Sequence, residues 1–135
     1  MYLSSKYMQS AGKLPRKLPA EAMDPWKRLQ QQAQSVLETT LAELPNEIRA
    51  EAEKIPCLLE KECADDPEIL GTYGHFVAGE MSETNGPIVL YLETIERYCW
   101  EEGEDFAAEV RLTYLHELGH HFGWDEDDLE QRGLA

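Results

Sequence analysis

The sequence is poor in positive charge. Twelve Lys and Arg stand against 27 Asp and Glu in 135 residues, a formal net charge of −15. So large a negative excess repels a phosphate backbone, and a broad nucleic-acid-binding surface is the first class to fall. Long apolar runs are missing too. No stretch approaches the roughly 18–20 residues of a membrane-spanning helix. The N-terminal segment MYLSSKYMQSAGKLPRKLPAEAMDP lacks the unbroken apolar core of a secretory signal. Cysteine is scarce: Cys57, Cys63 and Cys99 are odd in number and form no CxxC pair. A disulfide framework is therefore not expected, and a reducing cytoplasm fits best. There is no internal repeat and no low-complexity block.

What is present suits one folded domain, with 42% hydrophobic and 29% charged residues. The charge is unevenly spread. Residues 1–28 hold six basic and two acidic groups, a balance of +4, and the remainder stands at −19. Residues 1–23 read as a flexible basic arm and residues 24–135 as the domain.

Along the domain, Asp24-Pro25 is a helix start, with Asp as cap and Pro in the first turn. Trp26, Leu29, Ala33, Val36, Leu37, Leu41 and Leu44 then recur at helical steps until Pro45. A short helix is expected over Asn46 to Ala52, a strand over Ile55 to Glu60, and a loop from Glu60 to Glu68. Gly71 to Gly79 (GTYGHFVAG) reads as one irregular or bulged strand, Ser82 to Pro87 as a turn, and Ile88 to Glu93 as the clearest strand. Short helix Thr94 to Trp100, long helix Glu104 to Phe122 and final helix Asp125 to Arg132 complete an α+β domain.

The long helix carries HExxH as His116, Glu117 and His120. Residues four apart lie above one another on a helix, so both imidazoles can reach one ion. Glu117, about 100° round the helix from His116, flanks that ion and can hold a water. Catalytic zinc usually takes a third protein ligand. Glu126 stands ten residues beyond His116, which in a continuous helix is about 15 Å away. The helix must break in between, and Gly123 can supply the break through a left-handed conformation. Glu126 is the first candidate for third ligand and Asp125 its main rival. Asp125, Glu126, Asp127 and Asp128 would also suit a helix N-terminus without any metal.

His121 should point away from the ion, into a structural or exposed position. Leu115, Leu118 and Phe122 belong to the opposite, core-facing side. Glu109 and Thr113 share the metal face one and two turns earlier and could hydrogen-bond a ligand histidine. His75, Tyr73 and Tyr98 are candidates for a second oxyanion donor.

The pattern HExxHxxGxx[DE], with the LPNEIRAEAEKIPCLLE, GTYGHFVAG and IVLYLETIERYC segments before it, resembles the minimal zincin-like metallopeptidase domains of bacteria. The resemblance covers roughly Asp24 to Ala135. It implies a reduced zincin-like fold, a small mixed sheet packed against an N-terminal helix and the HExxH helix. It also implies Zn2+ held by His116, His120 and Glu126, with Glu117 as general base. Two departures stand out. Asp is the commoner residue at the Glu126 position, and no methionine occurs among the nine residues after Glu126, whereas the larger metzincins follow HExxHxxGxxH with a methionine turn.

The expected function is that of a cytoplasmic, monomeric zinc metallopeptidase on peptides or unfolded proteins, without nucleic-acid or membrane partners. Zinc lowers the pKa of a bound water to about 7 and polarises a carbonyl. Glu117 would take the water's proton and pass it to the leaving amine. The acidic body should favour basic peptides, and an exposed strand beside the motif could pair with an extended substrate. Two rivals are a metal-dependent endoribonuclease, similar in ligand spacing alone, and a metal-stabilised interaction module without turnover.

Overall fold

Helix α1, Pro25–Glu43, starts on the expected cap: the Asp24 carboxylate accepts the Lys27 amide at 3.1 Å, and Pro25 occupies the first turn. Leu29, Ala33 and Leu37 are buried along one stripe, and burying a leucine stabilises by about 1.5–3 kcal/mol. Thr40 shares the stripe, and its hydroxyl donates to the Val36 carbonyl at 2.7 Å, which satisfies it inside the core. Pro45 then ends the helix, and α2 follows at Asn46–Ala52.

The computed structural model describes residues 24–77, 80–82 and 86–134, and of 75–77 and 80–82 the backbone. The basic arm expected at 1–23, the centre of the turn expected at Ser82 to Pro87 and the His75 side chain lie outside the described residues. No helix among those described is long and apolar enough to cross a membrane.

Strand β1, Cys57–Glu60, is shorter than its apolar run because the chain pairs only after Pro56. The GTYGHFVAG segment corrects the sequence expectation: it is two strands, not one bulged strand. Strand β2, Gly71–Tyr73, ends at Gly74, whose φ of 104° redirects the chain into β3, His75–Val77. Strand β3 forms an antiparallel hairpin with β4, Glu80–Ser82. Strand β5, Ile88–Tyr91, lies between β1, parallel to it, and β2, antiparallel to it. The main sheet is thus small and mixed, with β1 and β2 as its edges.

Helix α3, Leu92–Glu102, begins where β5 ends, two residues earlier than the strand pattern implies. Leu92, Ile95 and Cys99 are all buried, so the helical period already starts at Leu92. Helix α4, Phe106–Phe122, is capped by Asp105, whose carboxylate accepts the Ala108 amide at 2.9 Å. It packs against α1, α3, β2, β5 and the last helix, α5, Glu126–Gln131. Val110, Tyr114, Leu115 and Leu118 fill the core from its inner face, with Phe122 half-buried at its end. The fold is the small α+β zincin-like arrangement that the motif implies, and the HExxH helix is its hub.

Candidate metal centre

Two structural devices converge on the outer face of α4. The helical repeat stacks His116 and His120, with ring centroids 5.3 Å apart. The helix then closes at Gly123, which has φ 72° and ψ 25°. The Gly123 amide donates to the His120 carbonyl at 3.1 Å and the Trp124 amide to the Gly119 carbonyl at 2.8 Å. This is a Schellman closure, which needs a left-handed residue where Gly stands. It folds the chain back, so that Glu126 Oε1 lies 3.8 Å from His116 Nδ1 instead of nearly three turns, about 15 Å, along the axis.

Ligand atoms of His116, Glu117 and His120 lie within 4.8 Å of one another. The His120 Nε2 to Glu117 Oε1 separation is 4.0 Å. The Glu117 side chain is 12% exposed, against 44% for His116 and 81% for Glu126. The centre is therefore open to solvent on the Glu126 side and closed around Glu117. Two imidazoles with carboxylates beside them are a donor set that zinc accepts. A cavity of about 620 Å³ opens along this face, with His116, Glu117, Glu126, Gly71, Leu129 and Glu130 among its lining residues.

Asp125, the rival of Glu126, has other work. Its carboxylate accepts the Asp128 amide at 2.9 Å while its own amide donates to the Asp128 carboxylate at 3.0 Å, a reciprocal cap on α5. His121 turns away from the pair, as its position on the helix requires. Its Nδ1 lies 2.8 Å from the Tyr73 hydroxyl and its Nε2 3.2 Å from Glu51 Oε2, so one ring ties α4 to β2 and α2. That hydrogen bond from His121 is the main cause holding the Glu51 carboxyl below its ordinary value. Tyr73 is thus engaged away from the cavity. Tyr98 does not line it either, and the charge of Glu109 is what chiefly raises the Tyr98 hydroxyl pKa. Thr113 and Glu109 do line the cavity, and the Thr113 hydroxyl donates to Glu109 at 3.4 Å rather than to a histidine.

One wall residue escaped the sequence reading. A Cβ on Gly71 would stand 2.7 Å from Thr113 Cγ2, 3.2 Å from the Val89 carbonyl oxygen and 3.3 Å from Glu117 Cγ. Gly71 is what lets edge strand β2 lie directly on the motif helix beside Glu117. Its signal was the glycine itself, which the sequence alone assigns as readily to a bulge.

A paired-histidine helix laid against the edge of a small mixed sheet defines a zincin-like domain. Residues 46–134 match the family model described as zincin-like metallopeptidase, and the chain belongs to that family. No curated protein matches the chain. Family membership carries a metal, typically zinc, and peptides or proteins as the general substrate class.

Proposed function

We propose that the protein is a zinc-dependent peptidase in which His116, His120 and Glu126 hold the ion and Glu117 is the general base. The observation that carries this is the convergence of His116, Glu117 and His120 within 4.8 Å, with His116 and Glu117 at the wall of a cavity large enough for a peptide segment. Glu126 is favoured over Asp125 as third ligand because it lies beside His116 while Asp125 caps α5. Bound there, zinc supplies Lewis acidity and brings the pKa of water down to about 7. Glu117, shielded from solvent beside the histidines, accepts the proton of the attacking water and returns it to the leaving amine. Strand β2, an edge strand with Gly71 against α4, offers backbone groups along which an extended peptide can align.

The peptidase unit spans residues 24–135, with the basic arm 1–23 ahead of it. The family match begins at residue 46, but α1 contributes Leu29, Ala33 and Leu37 to the same core. Three free cysteines fit a reducing, cytoplasmic setting.

The test combines metal content with hydrolysis of a peptide library. Wild type and Glu117→Gln should each carry about one zinc per chain, and His120→Ala should carry none. Hydrolysis should fall by about 10²-fold or more in Glu117→Gln while its fold and metal are kept. A wild-type chain that takes up no zinc at micromolar concentration would sink the reading. Equal hydrolysis by wild type and Glu117→Gln would remove Glu117 from its role.

A further inference from the structure

The cavity extends past the metal-binding face toward α5, and its chemistry there is of two kinds. Leu129 and Leu134 are buried at its base, and Leu112, 44% exposed, stands at its wall. Glu109, Asp127 and Glu130 also line it, and among the described residues no Lys or Arg does. Among the described residues, none of these three carboxylates has an ion pair with Lys or Arg. The nearest basic residue in sequence, Arg132, is drawn elsewhere: its guanidinium lies 4.1 Å from the centroid of the Trp124 ring. Stacking of this kind satisfies the cation without neutralising α5. The result is an apolar trough edged by uncompensated negative charge, continuous with the face that holds His116 and Glu117.

We infer that this trough is a side-chain subsite for lysine or arginine of an extended peptide. Only these side chains combine a long aliphatic stem with a cationic head, and they lay the stem on apolar surface while the head stays with water or carboxylates. The stem covers Leu112 and Leu129, and the head reaches Glu130 and Asp127. A glutamyl side chain brings like charge to the same rim, and a purely aliphatic one leaves the rim unanswered. The inference names the substrate class for the peptidase proposed above and rests on that reading for its chemistry, although the binding preference can be measured without turnover.

The experiment uses the full chain carrying Glu117→Gln, leucine methyl groups isotopically labelled, and four heptapeptides identical except for a central Lys, Arg, norleucine or Glu. The Lys and Arg peptides should bind about tenfold more tightly than the Glu peptide, as expected for two or three partly exposed charge contacts. Their binding should shift the Leu112, Leu129 and Leu134 methyl resonances, and the preference should shrink at high salt. The exposed pair Asp127→Asn/Glu130→Gln should erase most of the preference, and Glu130→Lys should turn it toward the Glu peptide. Equal affinity for all four peptides, or shifts confined to other leucines, would overturn the subsite. Binding that appears only after Lys13, Arg16 and Lys17 are replaced by Ser would assign the trough to the chain's own basic segment and overturn a peptide occupant. A Lys and Arg preference without hydrolysis by the wild type would keep the subsite and count against the peptidase reading alone.

Discussion

Asp125 and Glu126 are adjacent carboxylates, and the proposed division of tasks between them follows from one preceding the first turn of α5 and the other lying within it. The Asp125 side chain closes the cap at 2.9 Å from the Asp128 amide, whereas Glu126 leans toward His116. Two substitutions separate these tasks. Asp125→Ala should cost about 1 kcal/mol of folding stability, the usual worth of a helix N-cap, and leave zinc affinity unchanged. Glu126→Ala should leave stability without metal nearly unchanged and weaken zinc binding by at least about tenfold. Thermal melts with and without metal, beside a zinc titration with a competing chelator, read both quantities. Zinc affinity that falls with Asp125→Ala and not with Glu126→Ala would reverse the assignment.

At the scale of elements, the site depends on two places where a glycine lets neighbouring elements meet. Gly123 holds the left-handed closure that returns the chain to α4. Gly123→Ala should cost about 1–2 kcal/mol for the strained backbone. It should also lower zinc affinity although no ligand has been changed, because Glu126 is carried by the segment that the closure aims. Gly71 acts differently: the strain there is a collision with Thr113 and Glu117. Gly71→Ala should cost about 1–3 kcal/mol through overpacking. Its second effect should be a fall in kcat with zinc content retained, since the displaced group is Glu117. A Gly71→Ala chain with unaltered kcat would show that β2 gives way instead of α4.

At the scale of the whole molecule, the core protects groups that would otherwise ionise at alkaline pH. Burial pushes the Cys57 thiol up to about 12 and, with Glu109 and its neighbours, the Cys99 thiol up to about 11. Burial likewise lifts the Tyr114 hydroxyl to about 12. Each raised acid holds its proton more tightly in the folded chain than in the unfolded one. Its stabilising effect is complete below the unfolded value, near 9 for the thiols and 10 for the tyrosine, and is lost as pH rises through the folded value. The melting temperature should therefore hold steady from pH 7 to 8.5 and fall progressively above pH 9. Alkylation at pH 8 should leave Cys57 and Cys99 unmodified in the folded chain and reach both in denaturant. Rapid alkylation of half-buried Cys57 under native conditions would contradict its raised pKa.

Much of this was legible in the chain because it depends on short-range geometry. The 3.6-residue repeat stacks His116 on His120, Asp24-Pro25 starts α1, and Gly123 must end α4 if residue 126 is to return. Net charge and the shortage of long apolar runs likewise needed no coordinates. The misreadings lay where local pattern leaves two outcomes open. GTYGHFVAG suits one bulged strand as well as two strands divided at Gly74, and hydrogen bonding to β5 decided between them. Spacing alone put Glu126 ahead of Asp125, and what further favours Glu126 is the α5 cap that engages Asp125. Gly71 against Glu117, and the His121 ring between Tyr73 and Glu51, join residues 46 and more positions apart. The sequence by itself determined the motif helix, its closing glycine and the stacking of its two histidines, because these follow from neighbours within a few turns. Only the tertiary structure decided what stands beside that helix, because a close approach between distant segments is set by packing of the whole core and leaves no periodic trace in the chain.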